Sequence, residues 1–132
     1  MRVTASPDAA SKVQTSRVRL KRAYAEPQES DGVRVLVDRL WPRGLQKERA
    51  KVDIWLKDIA PSAELRRWFG HDPRRWEEFE RRYREELRGN AELLNVLKVW
   101  RDLGVVTLLF AARDEDHNNA VVLKAVLENM GR

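Results

Sequence analysis

The polar cluster that follows residues 105–110 holds side chains that could do chemistry together. It contains a guanidinium, a carboxylate, an imidazole and two amides, from Arg113, Asp114, His117, Asn118 and Asn119. Because an imidazole titrates near neutral pH, His117 could move a proton while Asp114 orients its ring. Arg113 presents a planar donor fork that suits phosphate or carboxylate. We therefore take His117 and Asp114 as candidate catalytic residues, and Arg113, Asn118 and Asn119 as candidate ligand-binding residues.

The same cluster has a structural interpretation. Asp114 or Asp116 could cap the helix that follows, and acids in this position favour the helix dipole. An asparagine amide could in addition hold the loop. Capping accounts for one acid and one amide but does not require an arginine, a histidine and two asparagines together, so both interpretations stay open.

A second polar cluster follows residues 33–37 and contains Asp38, Arg39, Trp41, Arg43 and Gly44. If strands 33–37 and 105–110 are parallel, their carboxyl ends open onto one crevice, which is where ligands bind in α/β proteins. Arg39 and Arg43 would then face Arg113 across an anion-binding pocket, and Trp41 could stack on a flat ligand. The alternative is a tight Pro-Gly turn in which Trp41 packs as a lid and the arginines pair with acids such as Asp38.

A third group contains Lys57, Asp58 and His71. Lys57 and Asp58 are interpreted as a surface pair, and His71 as the residue that fixes the entry of the chain into the next helix. Two histidines 46 positions apart, without a spaced third ligand, do not predict a metal site. The chain has no phosphate-binding loop, dinucleotide fingerprint or Gly-x-Ser-x-Gly sequence, so no cofactor is predicted.

An alternating series of strands and helices would position these clusters. Strands are predicted over 17–24, 33–37 and 105–110. Segment 45–61 is predicted to be a short strand or an extended loop. Helices are predicted, from apolar spacing and capping residues, over 62–69, 73–88, 91–103 and 117–129. We therefore predict an α/β fold: a single three-layer domain with a small, mostly parallel central sheet flanked by helices.

Composition narrows the class of protein. The 132 residues are 42% hydrophobic and 36% charged, which is typical of one globular domain. Residues 1–16 are predicted to form a flexible tail, and 17–132 the domain. The absence of cysteine excludes disulfides, a thiol nucleophile and Cys-based metal sites. Without an apolar run of about 20 residues or a secretory h-region, no membrane partner is predicted and the cytoplasm is the expected location.

The distribution of charge leaves more than one function open. Of the net charge of +5, residues 17–51 contribute the excess, with ten Lys or Arg against five Asp or Glu. Such a basic segment is compatible with nucleic-acid binding, with Trp41 available for stacking, although no nucleic-acid motif accompanies it. Five tryptophans are compatible with a protein-interaction surface. A small anionic ligand bound between the two polar clusters is the preferred hypothesis.

Three blocks of sequence resemble a known family. The first is Val37–Gly44. The second begins with Trp55–Ser62 and continues in Glu64–Arg66, Trp68–Phe69, His71–Pro73, Trp76, Phe79, Arg82–Tyr83 and Glu86–Leu87. The third is Leu108–Asp114 with His117–Ala120. In this order they resemble the YeaO-like proteins, a branch of a large bacterial and archaeal family without an assigned function. The resemblance implies a small α/β domain. Other branches of that family carry a cysteine near the strand-to-helix loop, where this chain has Phe110-Ala111-Ala112-Arg113, so it does not imply a thiol-dependent activity here.

Overall fold

Strand β4 (Val106–Phe110) lies inside a four-stranded sheet, and all five of its residues are buried. The computed structural model describes residues 16–131. The other strands are β1 (Val18–Arg22), β2 (Val33–Leu36) and β3 (Ile54–Trp55). Their order is β1-β4-β2-β3, and every neighbouring pair is parallel. The uniformly apolar run thus forms a central strand of a parallel sheet, as predicted.

The register brings three strand ends to one edge of the sheet. Val33 of β2 and Val18 of β1 both pair with Val106. Beyond the strands, the Val37 amide donates to the Leu109 carbonyl, and the Ala23 amide donates to the Phe110 carbonyl. Side chains that follow β1, β2 and β4 are therefore placed next to one another.

Within residues 16–131, five α-helices connect and cover the strands. They are α1 (Lys47–Ala50), α2 (Ala63–Phe69), α3 (Trp76–Arg88), α4 (Ala91–Leu103) and α5 (Asn119–Asn129). The Ser62 hydroxyl accepts from the Leu65 amide at the start of α2, and Gly70 ends this helix with φ 53°. Pro73 begins a 3-10 turn, so α3 starts three residues later than predicted. Helix α5 starts at Asn119 rather than at residue 117 because Asn118 is its cap.

Helices α2 to α5 enclose the main core against one face of the sheet. The core contains Phe79, Tyr83 and Leu87 of α3, which recur at spacings of four, with Leu108 and Phe110 of β4. Tyr83 is fully buried, and its hydroxyl donates to the Ile59 carbonyl at 2.7 Å. The outer face of α3 is exposed to solvent and carries ion pairs between its arginines and glutamates.

The other face of the sheet is covered by the segment that contains α1. Here Trp41 and Trp55 pack over Leu36 and Leu109. This face also holds a buried ion pair between Asp31 and Arg34, with 2.6 Å between Oδ2 and Nη1. The structure thus confirms the predicted α/β class with a parallel sheet, its third layer being a segment with one short helix.

The predicted tail, residues 1–16, lies outside the described residues except for Ser16. Within residues 16–131, no helix has both the length and the apolar character needed to cross a membrane.

Candidate functional site

The carboxyl ends of β2 and β4 are joined through Asp38. Its Oδ2 accepts from the Ala111 amide at 2.9 Å, and its Oδ1 accepts from Asn119 Nδ2 at 3.3 Å. The same Asn119 amide donates to the Val37 carbonyl at 2.9 Å. The structure therefore brings one residue of each predicted cluster into contact, at the edge of the sheet where both were expected.

The environment of Asp38 combines burial with nearby positive charge. Burial raises the pKa of the Asp38 carboxyl above its ordinary value, against the hydrogen bonds from Ala111 and Asn119. The charges of Arg66 and His71 also lower this pKa, which places both residues in its electrostatic surroundings. We call the group of Asp38, Arg66, His71 and Asn119 the β2–β4 corner.

The turn before α5 is organised by Asp114. Its Oδ1 accepts from the Asp116 and His117 amides at 3.0 and 3.1 Å, and its Oδ2 lies 2.9 Å from His117 Nδ1. The hydrogen bond from His117 is the main cause of a lowered pKa of the Asp114 carboxyl. The predicted pairing of this acid with this imidazole is thus present.

Capping of α5 is performed by Asn118. Its side-chain oxygen accepts from the Val121 amide at 3.2 Å, and its Nδ2 donates to the Asp114 carbonyl at 3.0 Å. Asp114 therefore shapes the turn without capping the helix, and Asn118 is buried in a structural role. The expectation that Asp114 or Asp116 caps the helix is therefore wrong, whereas an asparagine amide does hold the loop, as the same interpretation expected.

An aromatic row links His117 to the loop that carries His71. The His117 ring lies edge-on to Trp76, with 5.2 Å between ring centroids. Trp76 in turn contacts Phe69 at 6.0 Å, and Phe69 lies 6.4 Å from the His71 ring. His71 adopts φ 57°, a left-handed conformation that is uncommon for a residue with a side chain. The row therefore connects both histidines of the chain through packed rings.

The three predicted arginines have different surroundings. The Arg39 guanidinium makes long contacts of 3.5 and 3.4 Å to the carbonyls of Ala60 and Pro61. Arg43 and Arg113 are exposed. Within the described part of the chain, none of these guanidinium groups forms an ion pair with an acid.

Trp41 and the third predicted group have structural contacts. Trp41 donates from Nε1 to the Leu45 carbonyl at 2.8 Å and packs edge-on against Trp55 with 5.6 Å between centroids. This matches its interpretation as a lid. Lys57 Nζ lies over the Trp55 ring at 4.8 Å, and the Asp58 carbonyl accepts from Asn90.

Arg66 is the residue that sequence reasoning missed. Its Nε atom is inaccessible to solvent and has no hydrogen-bond acceptor, the only side-chain atom of that kind among residues 16–131. Within the same range, Arg66 forms no ion pair with Asp38, although its charge lowers the pKa of that acid. A signal was present in the sequence: Arg66 lies three residues before the buried Phe69, so a charge faces inward on an apolar helix face.

Comparison with known proteins gives a consistent family assignment. A family model described as the inactive DUF488-N3 subclade matches residues 17–131. An uncharacterized protein of Mycobacterium tuberculosis is 45% identical over 115 residues, which cover 87% of this chain and 97% of the relative. The uncharacterized protein YeaO of Escherichia coli is 36% identical over 113 residues, or 86% of this chain and 98% of YeaO. No solved structure matches the chain significantly.

Proposed function

Because the chain belongs to the YeaO-like family and matches the model of the inactive DUF488-N3 subclade, we propose that it is a non-catalytic binding protein. Its ligand is a small molecule with a carboxylate or phosphate group, held at the β2–β4 corner. The subclade description supports the absence of catalysis. The buried Nε–H of Arg66, which has no acceptor within residues 16–131, supports an anionic ligand.

The unpaired Nε–H of Arg66 carries this proposal. A buried donor without an acceptor costs about 1 to 3 kcal/mol, and nearly all buried polar groups in folded proteins have a partner. An oxyanion bound beside Arg66 would supply the missing acceptor and would receive a charge-assisted hydrogen bond, which is stronger than a neutral one.

The surrounding charges favour an anion rather than a cation. The carboxylate of Asp38 already accepts two N–H groups, and that of Asp114 accepts from two amides and from His117. Their lone pairs are largely used within the protein. The positive side chain of Arg66 remains available.

In this proposal His117 and Asp114 position the turn and do not transfer protons. Acyl or phosphoryl transfer through an Asp–His pair requires a nucleophile within hydrogen-bond reach of the imidazole. Within residues 16–131, the hydrogen bonds of the His117 ring include Asp114 and no serine, threonine or tyrosine hydroxyl. The arrangement therefore fits recognition better than covalent chemistry.

The basic segment 17–51 gives less support to the nucleic-acid alternative. Six of its ten basic side chains form hydrogen bonds or ion pairs within the protein: Arg17, Arg19, Lys21, Arg22, Arg34 and Arg39. Arg34 is in addition buried. These groups are not free to neutralise phosphates along a strand.

A thermal-shift titration tests the proposal. Phosphate, acetate and a sugar phosphate are added at matched ionic strength, with sodium chloride as the reference. A ligand at about 100 times its dissociation constant adds about 2.7 kcal/mol of stability, which raises the midpoint by several degrees for a domain of this size. The sugar phosphate is then recovered and is expected to be chemically unchanged.

Arg66→Met and Arg67→Met provide a matched pair of variants. Both change an arginine of α2 to an apolar side chain of similar length, but Arg67 is exposed. We expect Arg66→Met to remove the shift and Arg67→Met to retain it. Equal shifts in both variants, or no shift with any of the three anions, would refute the proposed site.

A further inference from the structure

A cavity of about 720 Å³ lies between the loop that follows β1 and the segment that contains α1. The residues that line it include Tyr24, Glu26, Glu48, Arg49 and Lys51. None of them belongs to the β2–β4 corner. The volume is within the range of about 300 to 1,000 Å³ that is typical of small-molecule sites.

The charged side chains of this cavity have no partners of opposite sign within residues 16–131. Glu26 and Glu48 form no ion pair there, and neither do Arg49 and Lys51. By contrast, many other acids of the chain pair with a nearby base, as Glu78 does with two arginines. The cavity therefore presents two acids and two bases that are all available to a bound molecule.

The aromatic wall of the cavity is held in place from two sides. The Tyr24 hydroxyl donates to the Arg43 carbonyl at 2.8 Å. The Arg22 guanidinium lies 5.1 Å from the centre of the Tyr24 ring, and it donates to the carbonyls of Ala111 and Ala112 at 3.0 Å each. A ring that is fixed before binding loses little conformational entropy when a ligand packs on it.

The backbone at Lys51 is also held by buried contacts. Lys51 has φ 48°, in the left-handed region that side chains rarely adopt. The buried Arg34 fixes this position by donating to the carbonyls of Ala50 at 2.6 Å and Lys51 at 3.1 Å, while Asp31 holds its guanidinium. Lys51 ends α1 in this conformation, so the backbone that lines the cavity has a fixed position before a ligand binds.

We propose that this cavity binds a small zwitterion, namely a free amino acid or a short peptide. The ammonium group of the ligand meets Glu26 and Glu48, and its carboxylate meets Arg49 and Lys51. A ligand with a single charge would contact only the two acids or only the two bases. The zwitterion satisfies both pairs, and the volume accommodates a di- or tripeptide.

Titration calorimetry with trialanine and its two blocked forms tests this proposal. N-acetyl-trialanine lacks the ammonium group, and trialanine amide lacks the carboxylate. We expect trialanine to bind and each blocked form to bind about three- to fivefold more weakly, the effect of losing one partly solvated ion pair. The amide resonance of Gly44 is expected to move during the titration. Absence of binding at about 10 mM trialanine, or equal affinity for the three peptides, would overturn the proposal.

Paired variants assign each charge to its end of the ligand. Glu48→Gln should weaken trialanine about three- to fivefold and leave N-acetyl-trialanine unchanged, because the acetylated peptide has no ammonium group to lose. Arg49→Gln should weaken the binding of trialanine by the same factor and leave the affinity for trialanine amide unchanged. Glu29→Gln and Lys47→Gln are exposed controls outside the cavity lining. If the control variants weaken the binding of trialanine as much as the cavity variants do, the proposal that the cavity binds a zwitterion is overturned.

Discussion

Asp38→Ala is expected to destabilise the protein because Asp38 joins the ends of β2 and β4. The substitution leaves the Ala111 amide without its acceptor at 2.9 Å and removes the longer bond of 3.3 Å from Asn119. A hydrogen bond to a charged group contributes about 1.5 to 3 kcal/mol, and the longer bond adds less. Burial of the carboxylate opposes these gains, as its raised pKa shows. We therefore expect a loss of about 2 kcal/mol.

Urea denaturation followed by tryptophan fluorescence measures this loss as a change in midpoint at constant slope. Asp116→Ala is the matched control, since Asp116 is an exposed acid in the turn before α5. We expect the control to change the free energy of unfolding by no more than about 0.5 kcal/mol. If Asp38→Ala falls within the same limit, the inference that Asp38 holds the corner is wrong.

A double-mutant cycle that combines Asp38→Ala with Asn119→Ala measures the energy of the hydrogen bond between these two side chains. Asn119→Ala also loses the bond to the Val37 carbonyl at 2.9 Å, which does not involve the Asp38 side chain. Because both single variants remove the Asn119–Asp38 bond, the double variant should lose about 0.5 to 1 kcal/mol less than the sum of the two. Simple additivity would show that the two side chains do not interact.

Two other predictions concern the backbone and acid sensitivity. A Cβ at Gly32 would lie 2.2 Å from the Val105 carbonyl oxygen, whereas a Cβ at Gly44 would meet nothing within 4 Å, and both glycines have positive φ. Gly32→Ala should therefore cost at least about 2 kcal/mol more than Gly44→Ala in urea denaturation, and equal costs would contradict the contact. The pKa of Asp114 lies below its ordinary value of 3.8 because of His117, so its stabilising contribution is present above that value and is lost as the pH falls below it. Asp114→Asn should accordingly lose less stability than the unmodified protein between about pH 5 and about pH 2, and parallel thermal-midpoint curves would argue against this coupling.

Most strands and helices could be predicted from local patterns, but α1 could not, because residues 45–61 were predicted to be a short strand or an extended loop. Residues 105–110 have no polar face, and this pattern predicts a strand that is covered on both faces of the sheet. The stops at Gly70 and Gly89 and the cap at Ser62 set helix ends correctly. The start of α3 was predicted three residues too early because Pro73 begins a 3-10 turn. The sequence pattern does not distinguish such a turn from the first turn of an α-helix.

The candidate site could be predicted only as far as strand topology determines it. Parallel pairing of β2 with β4 is sufficient to place Asp38 near Asn119. The directions of Arg39 and Trp41 depend instead on how the segment after β2 packs over the second sheet face. Arg66 depends on the docking of α2 beside this corner. These contacts are long-range: the spacing to Phe69 indicates which side of α2 carries Arg66, but not which residues that side meets.

The position of β4 in the sheet has a consequence for synthesis of the protein. Strands β1 and β2 do not pair with each other but with β4, and residues 37–105 separate β2 from it. At about 5 to 20 residues per second, the ribosome needs about 3 to 14 seconds to translate that interval. Throughout it, the nascent chain exposes apolar strand edges that invite aggregation. We expect chains that terminate before Val106 to accumulate in the insoluble fraction, whereas chains that extend through α5 fold.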